Sequence, residues 1–175
     1  MSQYVIEPKL SPRGSRREEY KEGSIRIIMF SHSSHIIGDF FYDWTVYLNI
    51  IPSKMIYNAI VERENKFRMI KTATTLEVPS IVLEEIVKLA KDKAFMSLKQ
   101  DDLNFDFILY DAPNAYLSFK SDEGALIIDD SLIALTFEDG KLPTKNGVYD
   151  TPFHKLVALF NTVEGEENID IDEDL

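Results

Sequence analysis

From Pro79 to Ser97 the apolar positions recur with a helical period. At about 100° per residue, Val82, Leu83, Ile86, Val87, Leu89, Ala90 and Ala94 share one stripe, while Glu84, Glu85, Lys88, Lys91 and Asp92 gather opposite. The spacing predicts one long central helix with a buried face. Pro79 suits its first turn, where a missing N–H costs nothing, and Glu84 precedes Lys88 by four residues, the favoured order for an ion pair. By the same count Ile81 and Phe95 fall toward the polar side, exposed, covered by a loop or open to another chain.

Elsewhere the period drops to two. Tyr42, Trp44, Val46, Leu48 and Ile50 alternate with Asp43, Thr45, Tyr47 and Asn49, which predicts a strand whose first set faces the core and leaves Tyr47 outside. Ile25 to Phe30 reads as a buried strand and Tyr4 to Ile6 as a short one. Lys54 to Val61 and Phe67 to Thr72 read as a hairpin turning at Glu62 to Lys66, with a single helix from Ser53 to Glu64 as the rival. Beyond the helix, Phe105 to Tyr110, Ala115 to Phe119, Ala125 to Ile128 and Ser131 to Phe137 form a second strand-rich block, separated by the turns at 111–114 and 121–124 and ended by Glu138-Asp139-Gly140. A closing helix starts at Pro152, capped by Asp150 or Thr151, and carries Phe153, Leu156, Val157, Leu159 and Phe160. The expected fold class is α+β: a twisted, mainly antiparallel sheet, with the second block as a meander, packed by the central helix and the C-terminal helix.

Composition narrows the reading. A chain of 175 residues that is 45% hydrophobic has enough apolar surface for one respectable core, so one domain over residues 1–163 is expected, with a polar N-terminal arm through residue 24. From Glu164 onward seven acidic residues and no basic one form an acidic C-terminal tail, 164–175. Cysteine is absent, which excludes disulfides, thiolate metal sites and a cysteine nucleophile. No apolar run resembles a signal peptide or reaches membrane-spanning length, which points to a soluble cytoplasmic protein. Thirty acidic against nineteen basic residues give a net charge of -11, which disfavours binding along a phosphate backbone.

No phosphate-loop, dinucleotide or nucleophile-elbow motif occurs, and the glycine turn and distal glutamate of a calcium loop are missing. No cofactor is expected. The one reactive-looking cluster is Ser31-His32-Ser33-Ser34-His35, with Asp39 and Asp43 downstream and His154 distant in the chain. It supports a small hydrolase or metal-dependent enzyme as one alternative. Arg13, Arg16 and Arg17 in the arm support a nucleic-acid-binding domain as another, while the aromatic group around Trp44 is assigned to the core rather than to base stacking.

The leading expectation is a non-catalytic acidic binding protein for a basic protein partner. Its most concrete form is an immunity protein that occludes the active site of a basic bacterial toxin, such as a nuclease. The carboxylates expected to carry the contact lie in the turns, Asp101 with Asp102, Asp122 with Glu123 and Asp129 with Asp130. The remainder lie in the tail, at Glu164, Glu166, Glu167, Asp170, Asp172, Glu173 and Asp174.

Overall fold

A computed structural model describes residues 3–7, 21–32, 43–65, 69–106 and 114–161. In chain order the strands are β1 (Val5–Ile6), β2 (Ile25–His32), β3 (Asp43–Ile51), β4 (Ile56–Asn65) and β5 (Ile70–Thr75). Helices α1 (Ser80–Ala90) and α2 (Lys93–Met96) follow, then β6 (Asn114–Ser121), β7 (Gly124–Asp129), α3 (Ile133–Asp139), β8 (Lys141–Thr144) and β9 (Gly147–Asp150). Residues 153–161 form the last described helix, α4. The expected α+β class with a mainly antiparallel sheet is present.

Seven strands pair in the order β1-β4-β3-β2-β6-β7, with β5 beside β1 on the same edge of β4. Among the described strands only β1 and β4 run parallel. β2 is flanked on both sides, by β3 from Ile25↔Ile50 to Ser31↔Trp44 and by β6 from Arg26↔Lys120 to His32↔Asn114. Of the meander expected after the helix, Ala115 to Phe119 and Ala125 to Ile128 pair as neighbours within the one expected sheet. This hairpin, β6–β7, returns to the first block and completes the same sheet.

Alternation along these strands puts Ile27 and Met29, Val46 and Leu48, Ala59 and Val61, Leu117 and Phe119, and Leu126 and Ile128 on one face, all buried. The helices cover that face. Leu83 and Ile86 of α1, Phe95 of α2, Phe137 of α3 and Phe153 and Phe160 of α4 join the strands in one apolar cluster. Phe119 lies at its middle, with ring centroids 6.0 Å from Phe95 and 5.7 Å from Phe153. Trp44 faces this layer as expected, 5.6 Å from Phe137 and 4.9 Å from Phe160. Opposite Trp44, the buried Arg63 donates from Nη1 to the Phe160 carbonyl at 2.9 Å, so a charge on the core side is held by the end of α4. Tyr47 departs from expectation: it points to the other face and is nonetheless buried.

The central helix is shorter than its pattern implies. α1 stops at Ala90, and Asp92 accepts a hydrogen bond from the Phe95 amide at 3.1 Å, capping the separate turn α2. The break resets the helical phase. Phe95 turns fully into the core and Ala94 out to solvent, the reverse of what one continuous wheel gives, whereas Ile81, ahead of the break, is exposed as the wheel predicts. Pro79 stands one residue before the helix in an extended conformation, its carbonyl accepting from the Val82 and Leu83 amides.

The hairpin after Pro52 wins over the rival helix, but Glu62 to Asn65 belong to β4 rather than to the turn, and 66–68 lie outside the described residues. Ser131 to Phe137 is not a strand. Ile133, Thr136 and Phe137 bury one face of α3, and Gly140 closes it at φ 76°. Phe105 and Asp106 are not in a strand, and 107–113 lie outside the described residues. The ribbon β8–β9, turning at Lys145-Asn146, goes unforeseen in the sequence.

Tyr57 ties the sheet to the entry of α1. Its buried hydroxyl accepts from the Val78 amide at 3.0 Å and donates to the Val78 carbonyl at 3.3 Å, while the Leu76 amide reaches the Ala59 carbonyl at 2.7 Å. Burial raises the Tyr57 pKa, the hydrogen bond with Val78 lowers it, and the Glu77 charge adds to the rise. A folded-state value above the unfolded one means that the stabilisation is complete below about pH 10 and fades as pH climbs through the folded value. Replacing Tyr57 by Phe should therefore lower unfolding free energy by about 1–3 kcal/mol at neutral pH, because the Val78 groups lose their partner. It should also flatten the alkaline decline. Urea midpoints from pH 7 to 11 for both proteins measure both effects, and an unchanged neutral midpoint contradicts the assignment.

Candidate functional site

The acidic turns divide into two places. Asp122 and Glu123 form the β6–β7 turn, at the opposite end of β7 from Asp129 and Asp130, about 17 Å away for a six-residue strand. Asp101 and Asp102 occupy a single helical turn at 100–102 and join the second place through Gln100. The Gln100 side chain accepts from the Asp129 amide at 3.1 Å and donates to the Asp129 carbonyl at 3.4 Å, pairing with the edge of β7 as a neighbouring strand would. Asp101, Asp102, Asp129 and Asp130 thus share one corner.

Half of the six turn carboxylates have structural work. Asp102 accepts from the Lys99 amide at 2.9 Å, Asp130 from the Leu132 amide at 2.9 Å, and Asp122 from the Gly23 amide through both oxygens at 3.0 and 3.1 Å. The Asp122 contact fastens the β6–β7 turn to the chain entering β2. Asp101, Glu123 and Asp129 are exposed, and among the described residues none of them caps an amide in this way. The tail carboxylates from Glu164 to Asp174 and the arm residues Arg13, Arg16 and Arg17 lie outside the described residues.

The histidine cluster is described only at its start. His32 Nε2 lies 3.0 Å from Thr45 Oγ1, and its ring stacks on Phe30 at 4.4 Å, which in turn stacks on Tyr116 at 5.3 Å. Asp43 is buried at the head of β3, while His35 and Asp39 lie outside the described residues. Among the described residues no three His, Asp or Glu side chains are gathered so as to hold a metal ion.

A cleft of about 490 Å³ opens where α1 faces β8, β9 and the start of α4, a region the sequence did not single out. Lys155 crosses it to Glu85 at 2.8 Å, and Lys141 pairs with Asp150 across the ribbon. Of the two caps expected for α4, Asp150 is the partner of Lys141, and the Thr151 hydroxyl donates to the Gly140 carbonyl at 3.1 Å. His154 packs its ring edge against Gly140, with Nδ1 buried and unbonded among the described residues. The walls carry both signs of charge, and the Lys155–Glu85 pair bridges them.

Comparison with protein-family models, with curated proteins and with solved structures finds no match for this chain. Among the described residues no helix is long and apolar enough to cross a membrane.

The Gly140 contact sets a sharp requirement at the cleft. A Cβ there would stand 2.3 Å from His154 Nδ1 and 2.9 Å from the Thr151 carbonyl, at a left-handed φ of 76°. Gly140→Ala should cost about 1–2 kcal/mol for the backbone and about 1–3 kcal/mol more for overpacking. Gly23→Ala, at φ 82° with open space around it, should cost only the first amount. Thermal or urea unfolding of the two variants tests the difference, and equal losses would mean that His154 does not pack on Gly140.

Proposed function

We propose that this chain is a non-catalytic binding protein that recognises a basic protein surface through carboxylates, most concretely an immunity protein that covers the active site of a basic toxin. The observation that carries this reading is the corner where Gln100 joins the turn at 100–102 to the end of β7. There it brings Asp101 and Asp129, exposed and bonded to no amide among the described residues, alongside Asp102 and Asp130. A net charge of -11 on the chain adds long-range attraction for a cationic partner. Such a contact uses carboxylates at the rim for encounter and register, with slow release supplied by apolar groups between them. The acidic tail from Glu164 is the second element of the reading, adding charge next to α4 in the chain.

Co-purification from the source cell, with mass spectrometry of what is retained, should recover a protein with a strongly basic domain. Its affinity should fall roughly tenfold or more between low and high ionic strength, since exposed charge pairs are screened within a Debye length. Asp101→Asn with Asp129→Asn should weaken the complex and leave the unfolding midpoint unchanged, whereas Asp122→Asn should lower the midpoint. Affinity indifferent both to salt and to removal of residues 164–175 would contradict the reading.

A further inference from the structure

The two long edges of the sheet are treated differently. On β7 the outward main-chain groups of Asp129 are taken by Gln100, so that end of the edge is already paired. Among the described residues no side chain takes the outward main-chain groups of β5 in this way, and Lys71 is the one charge along it. Among the described residues no strand pairs with its far side, and it contains neither proline nor bulge. Its register fixes which groups are open: the Leu76 amide bonds the Ala59 carbonyl, so alternate pairs along β4–β5 are the hydrogen-bonded ones. The N–H and C=O groups of Lys71, Ala73 and Thr75 then point away from β4. All three residues are exposed.

We propose that this free edge of β5 is the seam of a homodimer, a second copy of the chain adding its own β5 in antiparallel register about a two-fold axis at Ala73. The occupant follows from the sequence of the strand. Ile70-Lys71-Thr72-Ala73-Thr74-Thr75-Leu76 is nearly symmetric about Ala73, with threonine on both sides and an aliphatic residue at each end. Pairing Ala73 with Ala73 of the second copy sets Lys71 opposite Thr75 and Thr72 opposite Thr74. All outward groups of both strands are then satisfied by about six main-chain hydrogen bonds. The small alanine lies on the axis, where the two copies would crowd most. The pairs flanking it are β-branched, a favourable cross-strand combination.

Charge permits the match. Lys71 is the one ionised side chain of the strand, it lies 3.9 Å from Glu64 of its own chain, and in this register it never faces its own copy. The whole molecules, each carrying -11, repel at long range. Added salt therefore strengthens this association, opposite in sign to its effect on a basic partner, so the two proposals stand or fall separately. β9 is a poorer rail, four residues long and opening on Gly147.

Sedimentation equilibrium of the full chain, up to about 1 mM protein and at low and high salt, should show a monomer–dimer equilibrium that salt shifts toward dimer. Ala73→Pro removes an outward N–H that β4 does not use, so the fold is retained while the dimer dissociation constant rises about tenfold or more. Ala73→Asp places two carboxylates on the axis and should act in the same direction, with partial recovery in salt. If the proline variant fails to fold, the aspartate variant carries the test. A monomer at every concentration and salt, or a dimer that Ala73→Asp leaves unchanged, overturns the proposal.

Discussion

The double pairing of β2 is the constraint on which the architecture rests. Its ladder to β3 belongs to the first half of the chain and its ladder to β6 to the second, and only together do they make a surface broad enough to bury four helices. Because the helices pack on the same side, Leu83, Phe95, Phe137 and Phe160 meet Met29, Val46 and Phe119 in one cluster rather than in separate cores. The contact between Asp122 and Gly23 lies at the mouth of this arrangement, where β6 turns into β7 beside the start of β2.

Charge in this protein serves structure as well as surface. A carboxylate beside an unpaired amide is a turn fastener, and Asp92, Asp102, Asp122 and Asp130 each act so. Arg63 is the inverse case, a buried cation that finds the carbonyl of Phe160 and lies over its ring at 5.7 Å. The acidity is thus divided between groups fixed by the fold and groups such as Asp101 and Asp129, which among the described residues bond no amide.

Much of the sheet was legible because alternation survives where one face is buried and the other is not, as Leu126 and Ile128 between Ala125, Ile127 and Asp129 show. It misled at Tyr47, since both faces of β3 are covered there. The helical wheel held as far as Ala90 and failed beyond it, because periodicity carries no information about a break. The available signal was Asp92 three residues ahead of Phe95. Ile133 to Phe137 is too short for its period to distinguish helix from strand, and only the buried pair at i and i+4 with Gly140 after it favours the helix. The ribbon β8–β9 was hidden by Pro143 and by lysines, although Asn146-Gly147 at its turn was the signal to read. The candidate site was less legible still. Sequence shows where carboxylates are but not which amides they meet, so Asp102, Asp122 and Asp130 could not be told from Asp101, Glu123 and Asp129.

Gly23 and Asp122 are 99 residues apart, and the strands beside them close together or not at all. On a ribosome adding about 5–20 residues per second, the flank of β2 reserved for β6 would stay bare for roughly 3–11 s after β3 and β4 had emerged. The nascent chain must keep an incomplete sheet from capturing a stranger during that interval. Shielding by a chaperone at this stage would matter more to its yield than any gain in the stability of the finished molecule.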